Sequence, residues 1–299
     1  MAVIGFIGTG SMGSALARAA AKSGAWDEIL LANRGREKAR RLAAEIGGTA
    51  TDNTGAAAGS DFLLLGVEPA ELPGVISGIR PALEERADKP LVVSMAAGVE
   101  LAALRSYLGD GLPVLRIMPN IPVAAGAGVI LYCADGVSDE SMAAFLRGMA
   151  EAGTFVPMEE SRMKAATGLT GCGPAYAAVF AEALADGAVA CGVPRGEAKR
   201  LAALTLLGTA KMLADGTDPA ALKDLEAALE RLAGLREDAA ALAEYYESPL
   251  WRADFEADEA GLLPPDLPRG VLSEDAVYDL LSEYAGAMDA LRQACPGER

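Results

Sequence analysis

The stretch V-I-G-F-I-G-T-G-S-M-G, residues 3–13, decides the fold of this 299-residue chain. An apolar run of strand length leads into Gly8-x-Gly10-x-x-Gly13 and continues without a break into a helical pattern from Ala15 to Ala21. Strand, glycine turn and helix in this order form the geometry that holds a dinucleotide. Gly8 permits the tight turn, Gly10 leaves the pyrophosphate unobstructed, and Gly13 lets the helix pack closely on the strand. A strand-to-helix turn with small residues and no ligand is the alternative interpretation.

Strands and helices alternate along the following part of the chain. Short apolar segments predict strands at Glu28–Ala32, Asp61–Val67, Pro90–Ser94, Pro113–Met118 and Gly128–Cys133. Helical periodicity lies between them, at residues 37–46, 71–84, 100–108 and 138–151. Strands that alternate with helices over short connections predict a doubly wound parallel sheet with right-handed crossovers.

The pattern changes near residue 159, after which the sequence shows no convincing strand. Helices are predicted at residues 160–169, 174–191, 194–214, 219–246 and 273–294, with a proline-rich loop at 261–270. Pro174 and Pro194 are expected in first turns of helices. We therefore predict the α/β class. A Rossmann-type sheet would occupy residues 1–158, and an all-helical domain residues 159–299, with a divergent segment at about 225–270.

The composition excludes several classes of function. The chain has no histidine, which excludes a Ser-His or Cys-His catalytic pair and a histidine metal site, so we expect no metal. The net charge of −16 argues against a nucleic acid or an anionic membrane as partner. No apolar run reaches the ~20 residues of a membrane span, and the opening residues already belong to a strand, so we expect no signal peptide. Four cysteines without metal-type spacing favour a reduced, cytoplasmic location.

The charged residues indicate which dinucleotide binds. From Arg18 to Arg41 the chain has seven basic residues and three acidic ones, although the whole chain is acidic. An NAD-specific site usually places a carboxylate at the end of the second strand, to bond the ribose 2′-hydroxyl. Here Asn33 and Arg34 occupy that place, with Arg36 close behind. An amide and a guanidinium suit a 2′-phosphate, so we predict NADP(H). The alternative is that these arginines are solvated surface residues.

Seven segments resemble, in order and spacing, the pyrroline-5-carboxylate reductase family. They are G-F-I-G-T-G-S-M-G-S-A at 5–15, A-N-R at 32–34, S-M-A-A-G-V at 94–99, R-I-M-P-N-I-P at 116–122, G-L-T-G-C-G-P-A-Y at 168–176, E-A-L-A-D-G-A-V-A-C-G-V-P-R at 182–195 and L-L-G-T-A-K-M-L at 206–213. The resemblance runs from residue 1 to about Asp224. It implies reduction of a cyclic imine, such as 1-pyrroline-5-carboxylate, to L-proline or a related cyclic amino acid. It also implies a 6-phosphogluconate-dehydrogenase-like helical domain that dimerises.

The resemblance implies roles for individual residues. Those expected at the cofactor are Gly8, Gly10, Ser11, Met12, Gly13, Asn33, Arg34, Val67, Glu68, Ala96, Ala97, Gly98 and Asn120. Thr170 and Cys172 are candidate catalytic residues, and Gly173 and Tyr176 are expected to border the substrate. An iminium ion is already electrophilic, so no strong general acid is required if the imine binds protonated. A hydroxyl such as that of Thr170 near the ring nitrogen fits this chemistry.

The resemblance fails after Asp224. Family members carry there a loop reading S-P-G-G-T-T that binds the substrate carboxylate, and this chain lacks its glycines and threonines. We predict that Arg252 and Trp251 rebuild the pocket, with a guanidinium for a carboxylate and an indole for a larger or more apolar ring. The alternative is that Trp251 anchors the inserted segment to the core. Glu68 is a second departure, because the family usually has lysine there.

Three functions stay open at this point. The first is an NADPH-dependent imine reductase, acting on a small-molecule cyclic imine as a homodimer or higher homo-oligomer. The second is a 3-hydroxyacid-type dehydrogenase of similar layout, which ordinarily has a lysine in the long helix after the glycine segment. Residues 173–191 contain no lysine, which disfavours it. The third is a non-catalytic protein that binds NADPH as a sensor or assembly partner.

Overall fold

An eight-stranded sheet forms the N-terminal part of the protein. The computed structural model describes residues 2–218, 220, 237–264, 277, 279–282 and 284–286. The strands are β1 Val3–Ile7, β2 Glu28–Ala32, β3 Thr49–Thr51, β4 Phe62–Leu65, β5 Leu91–Ser94, β6 Val114–Met118, β7 Gly128–Asp135 and β8 Gly153–Pro157. Their order across the sheet is β3-β2-β1-β4-β5-β6-β7-β8. The chain thus winds outwards from β1 in both directions, which confirms the predicted fold class.

Helices connect the strands and then follow the sheet. They are α1 Ser11–Ser23, α2 Arg36–Ile46, α3 Asn53–Gly59, α4 Leu72–Glu84, α5 Leu101–Leu108, α6 Asp139–Gly148, α7 Glu160–Ala190 and α8 Arg195–Ala214. Two short 3-10 helices span Ile121–Ala125 and Ala150–Ala152, and a further α-helix spans Pro249–Glu259. In the part of the chain that the structure describes, no helix has both the length and the apolar character needed to cross a bilayer.

Neighbouring strands run parallel, except for the antiparallel pair of β6 and β7. The connection between these two strands contains the short 3-10 helix Ile121–Ala125. A parallel pair needs a crossover of roughly a dozen residues or more, and this connection is too short for one. The sheet therefore departs from the predicted all-parallel arrangement at this pair.

Both faces of the sheet are buried, each against its own apolar core. Successive residues of a strand point to opposite faces. Phe6, Leu64 and Val93 accordingly lie in one apolar core, while Leu63 and Val92 lie in the other. The fully buried run F-L-L-L of β4 is what a strand covered on both sides requires.

The sequence did not predict β3, α3 or β8. Strand β3 is the three-residue segment T-A-T at an edge of the sheet, too short and too polar to show an apolar pattern. Strand β8 begins at Gly153, whose φ of +131° and close approach to the backbone of Gly128 disfavour any side chain. Both strands lie at sheet edges, where the buried-strand pattern is weakest.

Helix α7 is continuous from Glu160 to Ala190, with Pro174 in its interior. The prediction of two helices, with Pro174 in the first turn of the second, is therefore wrong. The helix ends as expected before Gly192, whose φ is +95°. A glycine in this conformation is a common helix terminator.

The chain divides into two compact units, Met1–Ala202 and Ala203–Arg299. The predicted domain boundary at 158/159 stays a prediction. In the second unit, residues 237–246 are helical, and the helix Pro249–Glu259 follows within the divergent segment. Much of the predicted helices at 219–246 and 273–294, and most of the predicted loop at 261–270, lie outside the described residues.

Candidate functional site

Two of the three glycines in the turn after β1 are required by packing, and the third is not. Gly8 has a φ of +99°, and a Cβ added to it would lie 2.4 Å from the carbonyl oxygen of Gly66. A Cβ added to Gly13 would lie 2.1 Å from the carbonyl oxygen of Gly8. A Cβ added to Gly10 would meet nothing within 4 Å. Gly10 thus faces open space, which is the arrangement expected where a ligand approaches the backbone closely.

The N-terminus of α1 opens at this turn without a side-chain cap. Gly10 is the N-cap residue and Ser11 the first helical residue. The N–H groups in the first turn of a helix have no partner within the helix. The first turn also contains no acidic residue. These N–H groups and the positive end of the helix dipole form a site that suits a phosphate. The side chain of Met12 packs against the core, so its N–H is the group available there.

An open cavity of about 1090 Å³ lies beside the glycine turn. It extends between the ends of β1, β2 and β4 and the first half of α4. The predicted cofactor residues that line it are Gly8, Gly10, Asn33, Arg34, Val67 and Glu68. Its volume slightly exceeds the 300–1,000 Å³ usual for ligand pockets, as an extended ligand such as a dinucleotide requires. The residues present therefore fit a dinucleotide.

Asn33 and Arg34 have different surroundings at the mouth of this cavity. The side-chain oxygen of Asn33 accepts from the Thr9 N–H at 3.1 Å, and its nitrogen donates to the Gly35 carbonyl at 3.3 Å. Asn33 therefore ties the end of β2 to the glycine turn. The Arg34 side chain is 90% exposed and pairs with Glu71, with 2.7 Å between Nη1 and Oε1. Exposed ion pairs contribute little, so Glu71 holds the Arg34 side chain only weakly.

The residues after β5 offer backbone groups rather than side chains. Ala96 is 3% exposed and its side chain belongs to the core, whereas Ala97 is exposed. The N–H of Ala96 is 3.3 Å from the Ser94 hydroxyl oxygen, which accepts from it. Gly98 has a φ of +76°, a conformation that a side chain would strain. This segment follows the carboxyl end of a parallel strand, where doubly wound sheets bind ligands.

Asn120 joins the end of β6 to helix α7. Its Nδ2 donates to the Thr170 carbonyl at 2.9 Å, and its Oδ1 accepts from the Val129 N–H at 2.9 Å. Thr170 thereby lies at the carboxyl end of β6. The Thr170 hydroxyl donates to the Ala166 carbonyl at 3.2 Å. Asn120 is only 7% exposed, so its amide serves contacts within the protein that the sequence did not predict.

The other predicted catalytic and substrate residues belong to two different units. Cys172 is an exposed free thiol, and the Tyr176 side chain is 70% exposed, both on α7 just after Thr170. Gly173 follows on the same helix, and a Cβ added there would meet nothing within 4 Å. Trp251 and Arg252 belong to the helix Pro249–Glu259 of the second unit.

Trp251 and Arg252 have neighbours within their own helical segment. The Trp251 ring packs on Tyr246, with centroids 4.7 Å apart, and on Phe255, at 5.3 Å. Arg252 Nε lies 3.7 Å from Glu256 Oε1, and the Arg252 side chain is 82% exposed. Both aromatic partners lie within the divergent segment, so this packing does not decide between the pocket and the anchoring interpretations of Trp251. The assignment of both residues to the substrate stays a prediction.

A partly buried ion pair positions the start of α7. Arg116 of β6 is 8% exposed, and its Nη1 lies 2.6 Å from Glu160 Oε1. The same oxygen accepts from the Leu101 N–H at 2.7 Å. Burial raises the pKa of the nearby Cys133 thiol to about 11, with Glu160 adding to the shift and Arg116 opposing it. The arginine within the apolar strand V-L-R-I-M is the sequence feature that could have revealed this pair, because a buried charge requires a partner of opposite charge.

Comparison with known proteins identifies the family. A family model described as pyrroline-5-carboxylate reductase dimerisation matches residues 160–228, and one described as NADP oxidoreductase coenzyme F420-dependent matches residues 3–98. A pyrroline-5-carboxylate reductase of Methanosarcina acetivorans is 39% identical over 232 residues, which cover 74% of this chain and 83% of that protein. The chain belongs to the pyrroline-5-carboxylate reductase family. A family member from Corynebacterium melassecola is 32% identical over 87% of this chain and 96% of its own length.

Solved structures of pyrroline-5-carboxylate reductases share the fold. The enzyme of Plasmodium falciparum with NADP bound is 22% identical, with a TM-score of 0.65 over 95% of this chain and 97% of its own. That of Coxiella burnetii is 24% identical, with a TM-score of 0.66 over the same shares. A further family model, described as a domain of unknown function (DUF4298), matches residues 218–293. It covers the segment in which this sequence departs from the pyrroline-5-carboxylate reductase pattern.

Proposed function

We propose that the protein reduces a cyclic imine with NADPH, converting 1-pyrroline-5-carboxylate to L-proline by hydride transfer to the C=N bond. Family membership supports this activity, since relatives named pyrroline-5-carboxylate reductase are 39% and 32% identical. The observation that carries the proposal is the uncapped N-terminus of α1 beside a cavity of about 1090 Å³ in a chain of this family. Such a cavity holds a dinucleotide at the carboxyl ends of parallel strands.

Chain residues recognise the cofactor by charge and by shape. When bound, NADPH supplies the hydride. The first-turn N–H groups of α1 receive the pyrophosphate, which Gly10 leaves unobstructed. Arg34 releases Glu71 and binds the 2′-phosphate in its place. Lys38 lines the same cavity. Two cations near a phosphate dianion favour NADPH over NADH.

The Thr170 hydroxyl is arranged to accept a hydrogen bond from a protonated imine. Its proton points to the Ala166 carbonyl, so its remaining lone pairs face away from that bond. A protonated ring nitrogen is a donor and matches such an acceptor. A neutral imine nitrogen is an acceptor and does not. We therefore expect the iminium form to bind, and a chain without histidine needs no general acid to produce it at the site.

We expect the protein to act as a cytoplasmic homodimer or higher homo-oligomer. The match to a dimerisation family over residues 160–228 supports an oligomer. Helix α7 exposes large apolar side chains at helical spacing: Leu169, Tyr176, Val179, Phe180 and Leu184. A second copy of the same face is the natural cover for such a surface. Sedimentation of the purified protein as a monomer would refute this part of the proposal.

Turnover on imines tests the proposed activity. Purified protein is mixed with NADPH and 1-pyrroline-5-carboxylate, and then with a panel of cyclic imines with and without a carboxylate, while NADPH absorbance is followed. We expect oxidation that is faster with NADPH than with NADH. The absence of NADPH oxidation with every imine tested would refute the proposal. Tight NADPH binding without turnover would favour the sensor alternative.

A further inference from the structure

Pro174 removes one hydrogen bond from the interior of helix α7. In an α-helix the carbonyl of residue i accepts from the N–H of residue i+4, so the helical donor for the Thr170 carbonyl would be residue 174. Proline has no N–H and cannot supply it. The side-chain amide of Asn120 donates to this carbonyl instead, at 2.9 Å. An amide from the sheet thus replaces a bond that the helix cannot make.

Asn120 is itself fixed at the end of β6. It is 7% exposed, and its Oδ1 accepts from the Val129 N–H at 2.9 Å. A carbonyl accepts and an N–H donates, so these two contacts define the orientation of the amide. The side chain therefore joins three elements: the end of β6, the start of β7 and the proline-containing turn of α7.

We propose that Asn120 is a positioning residue, which fixes Thr170 against the carboxyl end of β6 by replacing the hydrogen bond that Pro174 removes. This inference rests on the proposed function. The Thr170 hydroxyl donates to Ala166 one turn earlier, so the Thr170 oxygen moves with the helix backbone that Asn120 holds. A misplacement of about 1 Å at a reacting centre can lower a rate ~100-fold. Loss of the Asn120 contact should therefore reduce turnover more than cofactor binding.

A cycle of variants separates the positioning of Thr170 from the satisfaction of its carbonyl. The set is Asn120→Ala, Pro174→Ala and the double variant, each compared for thermal midpoint, NADPH Kd and kcat on the imine. We expect Asn120→Ala to lower the midpoint by about 3–6 °C. Its kcat should fall about 10- to 100-fold, with the NADPH Kd within about twofold of the wild type. In the double variant, the backbone N–H that Pro174→Ala introduces returns a helical donor to the Thr170 carbonyl. Its midpoint should recover, while kcat stays low because the link between Thr170 and the end of β6 is absent.

Asn120→Asp is the matched control. Aspartate keeps the size of the side chain and the acceptor for Val129 but has no donor for the Thr170 carbonyl. It should lose kcat as Asn120→Ala does.

Three results would overturn the proposal. They are wild-type kcat in Asn120→Ala, recovery of kcat together with the midpoint in the double variant, and an NADPH Kd that rises tenfold at unchanged kcat. The second would leave Asn120 a purely structural role, and the third would make it a cofactor ligand. If the wild type reduces no imine, the proposed function fails by itself. The midpoints then still test the contact, since purely additive effects of the two substitutions on the midpoint would refute it.

Discussion

Replacing Gly10 by alanine should separate cofactor binding from folding. The added Cβ meets nothing within 4 Å, and the φ of −67° at this position suits alanine. Gly10 is an N-cap residue, where alanine is somewhat worse than glycine, but alanine also reduces the entropy of the unfolded chain. We expect these effects to leave the free energy of unfolding within about 1 kcal/mol of the wild type.

Gly13→Ala is the matched control, because its Cβ has no room. It would lie 2.1 Å from the Gly8 carbonyl oxygen, whereas real Cβ atoms essentially never come closer than 3.0 Å. The start of α1 would have to move by about 1 Å away from the turn. Overpacking of this kind costs about 1–3 kcal/mol or more. Gly13→Ala should therefore lower the thermal midpoint whether or not a ligand is present.

The assay is a pair of measurements on both variants, namely thermal unfolding without ligand and titration with NADPH. Gly10→Ala places a methyl group where the pyrophosphate approaches the first turn of α1. Each charge-assisted hydrogen bond to the phosphates contributes about 1.5–3 kcal/mol, so the loss of one raises the NADPH Kd at least about tenfold. A Gly10→Ala protein that binds NADPH as tightly as the wild type would refute the location of the cofactor. A Gly13→Ala protein as stable as the wild type would refute the packing argument.

Three further predictions concern the cofactor, a thiol and the second unit. Arg34→Ala should raise the NADPH Kd about tenfold and leave the NADH Kd unchanged, while Glu71→Gln, which frees Arg34, should lower the NADPH Kd about two- to threefold in the same titrations. The raised pKa of Cys133, about 11, means that its neutral thiol stabilises the fold below the ordinary thiol pKa and that this contribution is lost as pH rises through 11. The thermal midpoint of the wild type should thus fall relative to that of Cys133→Ala between about pH 9 and 11; a constant difference would contradict this. Trp251→Ala should lower the stability of the second unit by about 1–3 kcal/mol through lost aromatic packing and leave the imine KM unchanged. A raised KM at unchanged stability would instead support a substrate pocket at Trp251.

The parts of the fold that the sequence predicted have local causes. The turn after β1 requires glycine at Gly8 and Gly13 because backbone atoms lie against both Cα atoms, and such positions leave a readable pattern. Strand β4 is recognisable in the sequence as the continuous apolar run F-L-L-L because it is covered on both faces. Strand β3, by contrast, forms where the short segment T-A-T pairs with β2 at a sheet edge, so its cause lies in the neighbouring strand rather than in its own residues.

The part that the sequence could not predict depends on distant residues. Pro174 resembles a helix start when only its neighbours are considered. The helix continues through it, and the displaced carbonyl is satisfied by Asn120, fifty positions earlier in the chain. Asn33 is a similar case, since its amide oxygen accepts from Thr9 at the glycine turn. In both, the residue type was recognised from the sequence, but its partner was set by the folded arrangement.

Helix α7 is tied to strand β6 at two points whose spacings agree. Arg116 and Asn120 are four positions apart along β6 and its end, about 13 Å in extended chain. Their partners Glu160 and Thr170 are ten positions apart along the helix, about 15 Å at the usual rise per residue. Both contacts can therefore form at once, although the strand that α7 packs against most is β7. The ion pair fixes the start of the helix, and the amide fixes the turn at which Pro174 interrupts its hydrogen bonding. Thr170 lies at the second of these ties, so its position relative to the sheet is determined by two independent contacts.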